Sequence, residues 1–260
     1  MRWGVCSGPD NAAMLASVGY DYFEPAVTGV LKLHERRLRA EEVSLMFANL
    51  PIMPEVFNCF VPGTMRITGP DVDFAVLRSY VEQVTIACGA VGCKVIVFGS
   101  GGARKAPDGF DREQAYNQLV EFLKMAGDEC AKRGITLAIE PLNKTETNII
   151  NSVEEAVQLA DRADYPAVRV LADYYHIATD NQPLTEVSDA GGMLAHCHMA
   201  EPRGRVRPAT GMTDYAPWFK ALRDAGYDRR CSLECKWDNL AQQAGETLEF
   251  LKSVAASVEE

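Results

Sequence analysis

Eight short apolar runs, each followed by a segment of helical character, succeed one another along the whole chain with no repeat, linker or low-complexity tract between them. The runs lie at residues 2–7, 20–24, 55–60, 94–98, 134–140, 168–173, 193–198 and 231–235. Each has the length of a buried strand, and prolines or glycines punctuate the ends of several. Helical character follows at residues 10–17, 38–50, from 70 onward, 111–133, 152–163, 214–225 and 240–257, and a helix-like segment that includes 183–192 joins the sixth and seventh runs. Phe74, Leu77, Val81 and Val84 recur at three and four residues, the spacing of one helix face. Ser152 and Glu155 read as a capping box. Strict alternation of this kind argues a parallel sheet with its helices packed outside, and eight units argue closure of that sheet. The chain has 260 residues, 47% of them hydrophobic, enough for one large core. The predicted fold is a single (β/α)8 TIM barrel, with residues 1–260 as one domain.

Four consecutive runs end on a polar group: Glu140, Asp173, His198 and Glu234. Pro141 directly after Glu140 stops that strand from continuing. In a closed parallel barrel, side chains at the carboxyl ends of the strands converge on one mouth. Three carboxylates crowded there repel one another unless they are protonated or neutralised, and a divalent cation is the usual neutraliser. Three hard oxygen donors with one imidazole suit Mn²⁺, Mg²⁺ or Co²⁺ better than a structural zinc. One divalent cation is therefore expected at Glu140, Asp173, His198 and Glu234, with Mn²⁺ the first choice.

Charge and cysteine usage narrow the function classes. A formal net charge of -10 opposes binding to a phosphate backbone, so nucleic acid is not an expected partner. The eight cysteines form no CxxC pair and several fall in apolar runs, which suits reduced thiols in the cytoplasm. No run approaches the roughly eighteen apolar residues of a membrane helix, so a soluble, unexported protein is expected.

The order Glu140-Pro-Leu-Asn143, Asp173-x-x-His176, His198-x-x-Glu201 and a last strand-end Glu234 resembles the xylose-isomerase-like barrel superfamily of sugar isomerases and epimerases. Within it, the pattern is most similar to ketose 3-epimerases and hydroxypyruvate isomerases. The resemblance runs through the whole chain in architecture and is sharp from Ile139 to Trp237. It implies that Glu140, Asp173, His198 and Glu234 are metal ligands and that Glu140 and Glu234 also work as the acid and base pair. It implies further that Glu146 and His176 hold substrate oxygens. The ketose epimerase pattern places an arginine six residues beyond the metal histidine, where this chain has Gly204 between Arg203 and Arg205; Arg203 is assigned that role.

The expected activity is a divalent-metal-dependent isomerase or epimerase of a sugar or small keto-sugar, in carbohydrate metabolism, working by proton transfer through a metal-stabilised enediolate. Return of the proton to the same carbon gives epimerisation, and return to its neighbour gives aldose–ketose isomerisation. Expulsion of a β-hydroxyl would instead give a dehydratase or lyase on a keto-inositol, keto-sugar or dehydroshikimate. An abasic-site endonuclease ranks lower, because the chain has four histidines in all and an acidic surface. A catalytically inactive sugar-binding barrel would be favoured by loss of a ligand, and none is missing. Assembly into a homo-oligomer is an expectation of the resemblance alone.

Other polar residues carry two readings. Glu24 and Asn58, at the second and third strand ends, either bind hydroxyls or hold loops. His196, two residues before His198 and so on the same strand face, is either an outer partner of the ligand set or a satisfied core histidine. Tyr174, Tyr175, Phe98 and Trp237 either stack on a sugar or pack the core. The stretch 99–102 reads as a flexible glycine-rich loop.

Overall fold

In the computed structural model, which describes residues 1–258, all eight runs are strands of one parallel sheet. The chain runs β1 (Arg2–Cys6), α1 (Ala12–Ser17), β2 (Tyr22–Glu24), α2 (Ala40–Met46), β3 (Val56–Phe57), α3 (Phe74–Ala90), β4 (Val95–Phe98), α4 (Gly101–Arg104) and α5 (Arg112–Ala131). It continues with β5 (Thr136–Ile139), α6 (Val153–Ala163), β6 (Val168–Asp173), α7 (Tyr174–Thr179), α8 (Thr185–Ala190), β7 (Leu194–Met199), α9 (Ala216–Asp224), β8 (Arg230–Leu233) and α10 (Leu240–Ser257). The strand order is β2-β1-β8-β7-β6-β5-β4-β3. Between β2 and β3 the contact narrows to isolated parallel bridges, Phe23 with Pro54 and Ala26 with Asn58. This is the TIM-barrel architecture expected from the alternation, with one thinly bonded seam.

The seam has a local cause. Pro54 has no N–H to give a ladder, and Cys59 adopts a left-handed backbone (φ 47°), which ends β3 two residues after it begins. The apolar run 55–60 is therefore longer than its strand. At the starts of α3 and α6, side-chain caps decide. Asp73 accepts from the N–H groups of Ala75 and Val76, so α3 starts at Phe74 and not at residue 70. Ser152 accepts from Glu155 N at 3.1 Å and opens α6 where the capping box predicts.

Side chains alternate between two cores with the period of two that a strand imposes. Val95 and Val97 fill the barrel with Tyr22, Val56, Ala138 and Leu171, while Ile96 and Phe98 face the helices. Gly4 leaves the space that the Tyr22 ring occupies: a Cβ at residue 4 would sit 2.3 Å from it.

The glycine-rich stretch after β4 is not a loose loop. It closes into the single turn α4, which carries Arg104 fully buried. The Arg104 guanidinium donates to the carbonyls of Phe98 (2.9 Å), Glu140 (2.7 Å) and Ile150 (3.3 Å), tying the carboxyl ends of β4 and β5 together. Burial pulls its pKa down to about 10, which still leaves it charged at neutral pH. Nothing in the sequence marks this arginine as buried. All eight cysteines are free. Among the described residues, no helix is long and apolar enough to cross a membrane.

Candidate metal centre

The inward positions at the carboxyl ends of the strands form a polar layer directly above the apolar filling of the barrel. Glu140 stands two residues beyond Ala138, Asp173 two beyond Leu171, His198 two beyond His196 and Glu234 two beyond Ser232. Glu140, Asp173, His198 and Glu234 each bring a ligand-type atom within 4.8 Å of the others. His198 is the hub. Its Nδ1 lies 3.2 Å from Glu140 Oε1 and 3.4 Å from Glu234 Oε2. Asp173 serves two purposes at once: Oδ1 caps α7 by accepting from Tyr175 N at 2.8 Å, and Oδ2 is buried among these groups without a hydrogen-bond partner.

A second tier lies beneath. His198 Nε2 contacts Glu24 Oε1 at 2.9 Å, and Glu24 Oε2 receives His196 Nε2 at 2.9 Å and the Ser232 hydroxyl at 2.5 Å. Tyr22 OH lies 2.8 Å from Ser232 Oγ. Glu24 thus neither faces a ligand nor braces a loop, the two roles the sequence leaves open for it. His196 belongs to the outer tier. Asn58 pairs through its backbone with Pro25 and Val27 across the barrel seam, and its residue also lines the cavity above.

The electrostatics follow from this crowding. Burial raises the pKa of Glu140, His198 opposes that rise, and Glu234 adds to it. Asp173 is likewise raised by burial, against the pull of His176 and His198. Glu234 is also penalised by burial, but His198 and Arg205 outweigh the penalty and its pKa is lowered. Burial disfavours the His198 imidazolium, yet Glu24 and the two glutamates at Nδ1 lift its pKa well above the ordinary range. The group carries more negative charge than its one imidazole can balance, and the unpartnered Asp173 Oδ2 points to the same deficit of cation. Three oxygen donors, one of them buried and unpartnered, and one imidazole fit a hard divalent ion.

Arg205 partly fills the deficit. Its guanidinium pairs with Glu234, lies 3.9 Å from Asp173 Oδ2 and 3.5 Å from Glu146 Oε1, and stacks 4.6 Å over the Tyr175 ring. Arg203, the sequence-based choice, sits elsewhere: it is exposed and lines a separate hollow with Glu201, Met212 and Thr213. The reason is the path of the loop. Gly204 and Arg205 are consecutive left-handed residues (φ 79° and 55°), and the Arg205 carbonyl accepts from Lys236 N at 2.7 Å, stitching this loop to the one after β8. That pairing turns Arg205 inward. Glu201 is held away from the cluster by Thr213 and Tyr215, each at 2.9 Å.

His176 and Glu146 flank the cluster. Asn143 N donates to His176 Nδ1 at 3.1 Å, which places the imidazole proton on Nε2, 3.5 Å from Asp173 Oδ2. Asn143 Nδ2 also donates to Glu146 Oε1 at 3.1 Å. Of the aromatic residues, Tyr175 is at the site, whereas Phe98 packs on Phe60 and Phe122, and Tyr174 on Tyr215 and Trp218. A cavity of about 450 Å³ opens beside the cluster and is lined by Cys59, Gly99, Glu140, Glu146, Arg205 and Glu234. Another, of about 410 Å³, lies at the amino ends of the strands by Trp3 and Tyr227, remote from this chemistry. Of the two, only the first is at the carboxyl ends of the strands, the face where TIM-barrel enzymes place their active sites.

Similarity to known proteins follows the same outline. Residues 12–254 match the family described as xylose isomerase-like TIM barrel. The chain is 26% identical to an L-ribulose 3-epimerase of Methylomonas sp. (strain DH-1), over 96% of this chain and 92% of that one. It is 28% identical to the hydroxypyruvate isomerase of Escherichia coli (strain K12), over 51% of this chain and 52% of that one. The crystal structure of D-psicose 3-epimerase with D-tagatose from Clostridium cellulolyticum H10 superposes with a TM-score of 0.85 at 17% identity, covering 98% of this chain and 99% of that one. The relatives are thus named as isomerase-class enzymes, and the fold shared with the psicose 3-epimerase extends over nearly the full length of this chain. The chain belongs to the xylose isomerase-like TIM barrel family.

Proposed function

We propose that the protein is a divalent-metal-dependent isomerase or epimerase of a sugar or small keto-sugar, with Mn²⁺ as its ion and Glu140, Asp173, His198 and Glu234 as the ligands. The observation that carries this reading is the meeting of two glutamates, from β5 and β8, at one imidazole beside an unpartnered aspartate oxygen and an open cavity. When bound, the ion supplies Lewis acidity that favours loss of the carbon-bound proton next to a carbonyl. The remaining work falls to the chain. Glu140 turns Oε1 to His198 and Oε2 toward Gly99, at the cavity wall. Oε2 is the atom placed to take or return a substrate proton, and Glu234, three strands round the barrel, is its counterpart. Arg205 and Glu146 line the same cavity with donors and an acceptor for hydroxyl and carbonyl oxygens, and the buried His176 Nε2–H stands behind them, 3.5 Å from Asp173 Oδ2. Arg205 takes the guanidinium role in this arrangement.

Gly99 has a specific part in it. A Cβ at residue 99 would lie 2.1 Å from Glu140 Oε2. Gly99→Ala is expected to leave the melting temperature close to wild type, because the displaced atom is the tip of a flexible side chain. The misplaced carboxylate should lower kcat by about 10²-fold. Melting curves with steady-state rates check both halves, and unchanged turnover would remove Glu140 Oε2 from the proton path.

The reading is tested by incubating the protein and Mn²⁺ in D₂O with ribulose, fructose, psicose, hydroxypyruvate and keto-inositols, followed by chelation and proton NMR. Deuterium beside the carbonyl together with a new epimer or isomer is the expected outcome. Net loss of water would favour a dehydratase, and recovery of every substrate unchanged would overturn the proposal.

A further inference from the structure

The second tier raises a separate question, which rests on the metal-site reading above: what fixes the direction of the imidazole at its centre. We propose that Glu24 is a positioning residue that holds His198 in the single ring orientation and tautomer in which Nδ1 faces Glu140, Asp173 and Glu234. Glu24 is 1% exposed, and His196 and His198 are fully buried, so water does not compete for these contacts.

Proton accounting supports the assignment. An ionised carboxylate only accepts, so the contact of Glu24 Oε1 with His198 Nε2 puts a proton on Nε2. With the proton on Nε2, the lone pair of the neutral ring would be at Nδ1, on the side of the carboxylates that would hold an ion. Rotating the ring by half a turn would set carbon-bound hydrogens against both Glu24 and the cluster. The other oxygen is equally committed: Ser232 donates to Oε2, backed by Tyr22, and His196 donates to it as well. The His196 ring meets His198 edge to face, with centroids 4.9 Å apart and planes at 85°, which closes off sideways tilting.

A rival reading is a second ion held by Cys6, Glu24 and His198, whose ligand-type atoms also cluster within 4.8 Å. Both Glu24 oxygens are already occupied by strong donors, and Cys6 is only half-buried beside that carboxylate. An ion there would have to break three hydrogen bonds and share His198 with the other cluster.

Glu24→Gln keeps the volume but turns one accepting oxygen into a donor and removes the charge that polarises the imidazole. It is expected to raise the Mn²⁺ dissociation constant, read from the EPR signal of free Mn²⁺, by about 10–100-fold. Ser232→Ala removes one of the two donors to Oε2 without touching Oε1 and should weaken Mn²⁺ binding much less than Glu24→Gln does. Glu24→Gln binding within about twofold of wild type would overturn the inference, as would an equal loss in Ser232→Ala, which would assign the effect to general packing. A measurement independent of any variant is the long-range proton–nitrogen spectrum of the Mg²⁺-loaded wild type: His198 should carry its proton on Nε2, and a protonated Nδ1 would also overturn it. Absence of Mn²⁺ binding by the wild type would overturn both this inference and the proposed function, whereas equal binding by wild type and Glu24→Gln would overturn this one alone.

Discussion

Glu140→Gln and Glu234→Gln should each abolish turnover and yet shift the stability of the metal-free protein in opposite directions. The lost proton transfer alone is worth about 10²–10⁴-fold in kcat, and loss of an ion ligand adds to it. The stability difference follows from the sign of each pKa shift. Burial, with Glu234 nearby, raises the Glu140 pKa in the folded state, so its ionised form is disfavoured there and costs stability at neutral pH. Any stabilisation from this group is present at acid pH and lost as pH rises through its folded pKa. A neutral glutamine removes that cost, and metal-free Glu140→Gln should melt at or above the wild-type temperature. Glu234 is the reverse case: despite burial, His198 and Arg205 lower its pKa, so its charge stabilises the folded state above the unfolded pKa. Glu234→Gln should melt lower. Calorimetry of chelated protein at pH 7 checks the pair, and wild-type rates in either variant would contradict the proton-carrying role.

Exhaustive chelation should reduce activity to background, with Mn²⁺ or Co²⁺ restoring it. At an ion concentration 100 times the dissociation constant, binding to the folded state alone adds about 2.7 kcal/mol of stability, so the melting temperature should rise on reloading. Affinity should fall as pH is lowered. Burial opposes the His198 imidazolium, but Glu24 and the glutamates at Nδ1 hold its pKa well above the usual range, so a proton must leave before the ring can ligate. Metal analysis of the chelated sample decides the matter: full activity with no bound ion would end the metal-dependent reading.

The sequence discloses the barrel because short apolar runs and strand-to-helix alternation are local patterns, visible without knowledge of what packs on what. The meeting of Glu140, Asp173, His198 and Glu234 at one mouth was legible for the same reason, since each ends an apolar run. Residues whose position depends on nonlocal pairing were not. Arg205 points inward because its carbonyl pairs with Lys236 in another loop, and Arg203, equally basic and two residues away, does not. Arg104 becomes buried only because three carbonyls from separate segments converge on it. Glu24 could be seen to end a strand, but its partners come from β7 and β8, far along the chain.

Among the staves of this barrel, β2 and β3 are the pair without a continuous hoop of hydrogen bonds. Thermal breathing will therefore concentrate at that joint, where prying two strands apart breaks the fewest bonds. The stave on one side of the joint ends in Glu24, so loosening there slackens the grip on His198 before any other wall of the mouth gives way. The weakest line in the architecture and the brace of its central imidazole are neighbours.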